Sequence, residues 1–238
     1  YNGKELGELW GYTSVGLAQS DEEMKEWLTS NKPNWGSKWQ AGDVKYKDLT
    51  GEGEVTPGAS TLENHGDLKR IGNNSPRYRV GLNLDAAWKG IDFSIFFQGV
   101  LKRDWMFDAG DPYFWGAGSG MWQAACFEEH MDYWTPENTN SYFPRIYEKA
   151  AGNTDANTRV QTRYLQDGSY LSIRNITLSY NFPSKWMSKI GVNNLAVFFS
   201  GENLYTFDHL PKGLDPERSV TDDLGQRGFT YPYMRQYS

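Results

Sequence analysis

The stretch that decides the architecture is Arg77-Tyr78-Arg79-Val80-Gly81-Leu82-Asn83-Leu84-Asp85-Ala86-Ala87-Trp88. Every even position is apolar or aromatic, and every odd one is polar or small. Successive side chains leave a strand on opposite sides, so alternation this long marks a strand with one apolar and one wet face. Lys89-Gly90 then reads as a two-residue turn, with glycine free to take the positive φ that such hairpins need. The next strand repeats the pattern. Ile91, Phe93, Ile95, Phe97 and Leu101 lie on one side, and Asp92, Ser94, Gln98 and Lys102 on the other.

Two more strands follow far downstream. Between Tyr170 and Phe182, Leu171 and Ile173 begin the apolar face, and Ile176, Leu178, Tyr180 and Phe182 continue it in the opposite phase. A one-residue slip near Arg174-Asn175 is what a β-bulge produces. Pro183 cannot donate to a ladder and ends the run. From Leu195 to Phe207, one face holds Leu195, Val197, Phe199, Tyr205 and Phe207, and the other Ser200, Glu202 and Thr206. Strands in soluble proteins average about 5–6 residues, whereas a tilted membrane-crossing strand needs roughly 9–11. The connections alternate between short (89–90 and 183–193) and very long (103–169 and 208 onward). Short turns on one side and long loops on the other are the habit of an outer-membrane barrel. A soluble antiparallel sheet with decorated loops, serving as a glycan-binding or adhesion module, is the alternative reading.

Composition narrows the classes further. The 238 residues carry a net charge of −6 and are 16% aromatic, with a mean hydropathy of −0.71. No apolar run approaches the roughly 18–20 residues of a spanning helix. Strands dilute their apolar face with a wet one, so low hydropathy leaves a membrane barrel open. Nucleic-acid binders carry a basic footprint that this chain lacks. Aromatic content this high argues against disorder. A lone Cys126 permits no internal disulfide.

The segments between strands hold local signals. Ser20-Asp21-Glu22-Glu23 is a capping box that opens a short helix, with Met24, Trp27 and Leu28 at helical spacing and Asn31 and Pro33 ending it. Asp48-Leu49-Thr50-Gly51-Glu52-Gly53 begins like a calcium loop, but its twelfth position is Ala59, so a tight polar turn is expected. Segment 121–134 is read as containing a short helix with Trp122, Cys126 and Tyr133 near one side, Cys126 being a small packed residue. Gly116 to Gly120 reads as a flexible tip. No nucleophile elbow, P-loop or paired-histidine zinc motif occurs, and His65, His130 and His209 are scattered. Glu128 and Glu129 have no set geometry for glycosidase chemistry. The residues point to no enzyme, no cofactor and no metal.

Against this background, Gly66-Asp67-Leu68-Lys69-Arg70-Ile71-Gly72-Asn73-Asn74-Ser75-Pro76-Arg77-Tyr78, with Gly81-Leu82-Asn83-Leu84 and Phe93-Ser94-Ile95-Phe96-Phe97-Gln98-Gly99, resembles the late barrel segment of SusC/RagA-type TonB-dependent transporters. Tyr133-Trp134-Thr135-Pro136-Glu137-Asn138, Arg163 to Leu171, Asn175 to Tyr180, Ser200-Gly201-Glu202-Asn203-Leu204 and Gly213-Leu214-Asp215-Pro216-Glu217 match in the same order. The likeness covers nearly the whole chain.

The resemblance implies an all-β fold: antiparallel strands of a transmembrane β-barrel, the C-terminal segment of a roughly 22-stranded barrel, with long extracellular loops. It implies import of oligosaccharide or oligopeptide across the outer membrane of a Gram-negative, Bacteroidetes-type bacterium. A SusD-like surface lipoprotein would be the lid, TonB would act through a region absent from this chain, and outer-membrane lipid would surround the wall. The expected organisation is a loop region with a short helix (1–76), a barrel hairpin (77–102), a long aromatic loop (103–169), a second hairpin (170–207) and a loop leading to a missing final strand (208–238). Lys89-Gly90 and 183–193 would be periplasmic, with Trp88 and Trp186 near that interface. Among the loop aromatics, Trp105, Tyr113, Trp115, Tyr133 and Trp134 are expected to face substrate or lid. The competing reading makes these rings a small core for the loop itself.

Overall fold

The computed structural model describes residues 3–119, 126–147, 156–217 and 233–238. In chain order the first strands are β1 (Glu8–Gly11), β2 (Ser14–Leu17), β3 (Lys32–Pro33), β4 (Val44–Tyr46), β5 (Glu54–Val55) and β6 (Lys69–Asn73). There follow β7 (Arg79–Trp88), β8 (Ile91–Val100), β9 (Asp104–Trp105), β10 (Gln166–Asp167), β11 (Tyr170–Asn181), β12 (Ala196–Asp208) and β13 (Gln236–Tyr237). The chain divides into two compact units. A loop unit comprises Tyr1–Ser75, Asp104–Asp167 and Pro211–Thr230, and a sheet unit comprises Pro76–Arg103, Gly168–Leu210 and Tyr231–Ser238.

The loop unit is held by small pairings and an aromatic core. β1 pairs with β6, β2 with β4 and β9 with β10, all antiparallel, and β3 runs parallel to β5. Helix α1 (Asp21–Trp27) starts where the capping box places it: the Ser20 hydroxyl accepts from the Glu23 N–H at 3.1 Å, and Glu23 Oε2 accepts from the Gln19 N–H at 2.6 Å. Its Met24 is fully buried, and Trp27 Nε1 donates to the Tyr46 carbonyl at 2.9 Å. A second centre is built from Phe114, Trp115, Phe143 and Tyr164, all buried. Their rings meet at favourable tilts, with Phe114–Trp115 at 4.9 Å and Trp115–Tyr164 at 4.7 Å between centroids.

The sheet unit is one antiparallel sheet in the order β13–β12–β11–β8–β7. Its four long strands have 10, 10, 12 and 13 residues, the length that crosses a bilayer. The turn joining β7 to β8 has φ of 48° at Lys89 and 88° at Gly90, the pair of positive values that matches the twist of a tight hairpin. Between β11 and β12 lie helix α2 (Ser184–Met187) and a 3-10 turn at Ser188–Ile190.

The expected slip in β11 is present, because its pairing shifts between Ile173 and Asn175 on both sides. Phe97, Ile173 and Tyr205 form one row across β8, β11 and β12, and Ile95, Ile176 and Gly201 form the next apolar row. From one row to the next the chain advances two positions on β8, three on β11 and four on β12. Each strand therefore holds one more residue than its neighbour at this level, which bends the sheet locally. On β11 the register shift falls at Arg174, and on β12 Asn203 absorbs the excess with a left-handed φ of 51°. Leu204 folds over Gly201, where an added Cβ would meet its side chain at 2.8 Å.

Candidate functional site

Pairing converts the four alternations into two opposed surfaces. On one, the rows read Trp88–Ile91–Tyr180–Val197, Ala86–Phe93–Leu178–Phe199, Leu84–Ile95–Ile176–Gly201, Leu82–Phe97–Ile173–Tyr205 and Val80–Gly99–Leu171–Phe207. Without the extra residue at Arg174, the inner half of β11 would turn its polar side to this face. The band is open: Leu82 is 52%, Leu178 47% and Phe199 52% exposed. Each such side chain left in water forgoes about 1.5–3 kcal/mol, so a surface of this extent requires an apolar surrounding.

The opposite surface is polar through most of its length. Asp85–Ser94–Thr177–Ser200 and Gly81–Gln98–Ser172–Thr206 are two of its rows. Asn181 Nδ2 donates to Asp92 at 2.7 Å, Ser172 and Thr206 share a hydroxyl contact at 2.9 Å, and Asn83 donates to Asp85. Phe96 and Phe198 interrupt it. The two-sided strand thus suits lipid on one side and water on the other, the division a barrel wall makes.

The loop unit places the five expected aromatic contacts unequally. Trp115 and Trp134 are 3% and 4% exposed and belong to the packed interior. Arg145 covers the Trp134 ring at 4.5 Å. Neither indole offers a face to a ligand in this arrangement. Trp105, Tyr113 and Tyr133 are half-buried. Tyr113 stacks on exposed Phe127 at 6.0 Å and 14°.

Other sequence expectations are corrected here. Gly116 to Ser119, read as part of a tip, form a 3-10 turn in which a Cβ on Gly116 would meet the His130 ring at 2.7 Å, and Gly120 lies outside the described residues. His130, itself buried, accepts the Phe127 N–H at Nδ1 (3.0 Å) and donates from Nε2 to the Tyr113 carbonyl (2.9 Å). Cys126 is exposed, where packing was expected. Of the helix read over 121–134, a 3-10 turn at Glu128–Met131 is seen, and Trp122 lies outside the described residues.

The acidic glycine turn is closed by backbone donors. Asp48 accepts the N–H groups of Gly51 (2.7 Å) and Gly53 (2.6 Å) and the Thr50 hydroxyl (3.0 Å). Burial pushes its carboxyl up, but the Gly53 and Gly51 donors outweigh this and hold it below the ordinary carboxylate range. Asp67, fully buried, accepts from Leu49 (2.6 Å), Thr50 (3.1 Å) and Thr56 (2.6 Å). Among the described residues no three metal-ligating side chains come together.

Asp43 is a structural centre that no motif announced. It is fully buried and accepts from Gln40 N (2.9 Å), Tyr147 Oη (2.8 and 2.7 Å) and Asn157 Nδ2 (2.8 Å). Desolvation raises its pKa despite the Asn157 and Tyr147 hydrogen bonds. Burial likewise pushes the Tyr46 and Tyr164 hydroxyls well up. The cavity beside it, lined by Trp115, Phe143, Tyr147, Asn157 and Thr158, has room for about one water molecule, too little for a nutrient.

No family model matches the chain. The TonB-dependent receptor P3 of Formosa agariphila is 29% identical over 246 residues, which covers 99% of this chain and 22% of that protein. TonB-dependent receptor P26 of the same organism is 29% identical over 187 residues, or 79% of this chain and 17% of the relative. The chain therefore spans about a fifth of the length of these relatives. Among solved structures, the RagAB peptide transporter aligns with a TM-score of 0.58 at 19% identity, covering 88% of this chain and 20% of that one. The RagAB peptide importer in its closed-closed state gives 0.60 at 19% identity over 97% and 22%. Over nearly its whole length the chain is thus similar to proteins named TonB-dependent receptors, and its fold, with four long strands that do not close on themselves, is that of part of the RagAB structures.

Proposed function

We propose that the chain forms part of the wall and outer loops of a TonB-dependent outer-membrane nutrient importer in a Gram-negative bacterium of the Bacteroidetes type. The observation that carries this reading is the five-row apolar band on strands of bilayer-crossing length, backed by a polar face. The homologues support the class. The cargo is oligosaccharide or oligopeptide, and a SusD-like lipoprotein covers the mouth; the solved neighbours are named for peptide import. In this arrangement Lys89-Gly90 and 183–193 face the periplasm, 1–76, 103–169 and the loop from 208 lie outside the cell, and Gln236–Tyr237 returns to the wall beside β12. The role is passage and capture, with no catalysis. Trp105, Tyr113 and Tyr133 are the aromatic contacts to cargo or lid, since these residues are only half-buried while Trp115 and Trp134 are enclosed.

The test is uptake by cells carrying the full-length receptor. Deletion of the receptor should abolish accumulation of either labelled oligosaccharides or labelled oligopeptides, and Tyr113→Ala with Tyr133→Ala should lower it at unchanged surface level. Unchanged uptake of both cargo pools after deletion overturns the importer reading. A purified receptor that stays monodisperse without detergent supports the soluble-module alternative instead.

A further inference from the structure

The segment Tyr233–Ser238 pairs antiparallel with β12. Gly201 faces Tyr237, Glu202 faces Gln236, and Ser200 and Ser238 exchange backbone hydrogen bonds at 2.8 and 3.0 Å. A slip by one residue would turn Tyr237 off the apolar face and is rejected by the hydrophobic pattern. A slip by two keeps every side chain on its own face, so alternation does not reject it. Something else must choose between these registers.

The double bulge supplies that choice. Arg174 Nη1 donates to Asn203 Oδ1 at 2.8 Å. This bond fixes the amide with its oxygen toward the guanidinium, since the reverse orientation would set donor against donor. Asn203 Nδ2 is then left pointing to the returning segment, where it donates to the Met234 carbonyl at 3.4 Å. The Arg174 guanidinium also lies 4.8 Å from the centre of the Tyr233 ring. Both contacts act just before the paired residues, and both depend on side chains that the bulges lift out of the ladder. We propose that Arg174 and Asn203 form a register clamp: they select which residues of the returning segment pair with β12, and so fix where the preceding loop ends.

The experiment is disulfide trapping in the full-length receptor in outer membranes, scored on the fraction that migrates as a folded barrel until heated. Ser200→Cys with Ser238→Cys reports the native register, since the two hydroxyl oxygens are 2.6 Å apart. Ser200→Cys with Gln236→Cys reports a slip of two. With the clamp intact the first pair should crosslink and the second should not. Arg174→Ala with Asn203→Gly should lose most of the native crosslink and gain the slipped one. If that double variant does not fold, Asn203→Gly alone decides, because glycine keeps the left-handed turn and deletes only the amide. Asn181→Ala, which removes a polar contact elsewhere on the sheet, should leave the native crosslink intact. A native crosslink undiminished in the clamp variants, or equally diminished by Asn181→Ala, overturns the proposal.

Discussion

The Asp67 carboxylate holds the backbone N–H of Leu49 at 2.6 Å, and through its second oxygen the N–H of Thr56 at the same distance. One buried side chain thus closes the polar turn from both ends. Replacing Asp67 by Ala leaves these donors without their acceptor, and a hydrogen bond to a charged group contributes about 1.5–3 kcal/mol. Asp67→Ala should therefore speed hydrogen exchange at Leu49, Thr50 and Thr56 in the detergent-solubilised receptor. A chelator should leave that exchange unchanged, because backbone N–H groups already occupy the Asp48 and Asp67 oxygens.

Asp43 predicts a pH dependence of definite sign. Burial raises its folded-state pKa, so its contribution to stability is fully present below the unfolded value and is lost as pH rises through the folded one. Asp43→Asn removes this titration, and it also sets an amide donor against the donors of Gln40 and Asn157. The variant should be less stable by about 1–3 kcal/mol. The gap between wild type and variant should narrow as pH rises from 4 toward 7. Exchange at the Val44 N–H, which donates to Asn157 Oδ1 at 2.9 Å, measures it.

The two faces of β11 should respond oppositely to charge. Leu178 sits on the apolar band between Phe93 and Phe199, and its neighbour Thr177 lies between Ser94 and Ser200 on the polar face. Leu178→Arg should destabilise the folded barrel by about 2–4 kcal/mol, the cost of a cation near the bilayer midplane. Thr177→Arg should cost much less. Folding yield into lipid vesicles at increasing urea separates the two.

Two glycines of the same hairpin should also differ. A Cβ on Gly99 would meet the Tyr170 carbonyl at 2.3 Å, where backbone cannot yield cheaply, whereas a Cβ on Gly81 finds Phe96 no nearer than 3.6 Å. Gly99→Ala should cost about 1–3 kcal/mol through forced backbone shifts, and Gly81→Ala should be close to neutral. Urea midpoints of the two variants provide the comparison.

Much of the strand framework was legible because the period of a strand is short and local. Lys89-Gly90, the four alternations and the capping box at Ser20 each depend on residues within a few positions of one another. Burial in the loop unit is different. Trp105, Trp115 and Trp134 look alike as letters, and only contacts with Tyr164, Phe143 and Arg145, distant in sequence from at least one of them, enclose two of the three. Asp43 carried no signal either, since its partners Tyr147 and Asn157 lie more than a hundred residues away.

The bulges show the division most sharply. The sequence by itself determined that β11 changes phase at Arg174, because one extra residue is an odd insertion and moves every later side chain to the other face. It could not reveal that β12 advances four positions where β8 advances two. That excess is even, so the alternation of β12 passes through it undisturbed. Only the pairing of three strands exposes it, because register belongs to neighbours in space and no single strand carries it.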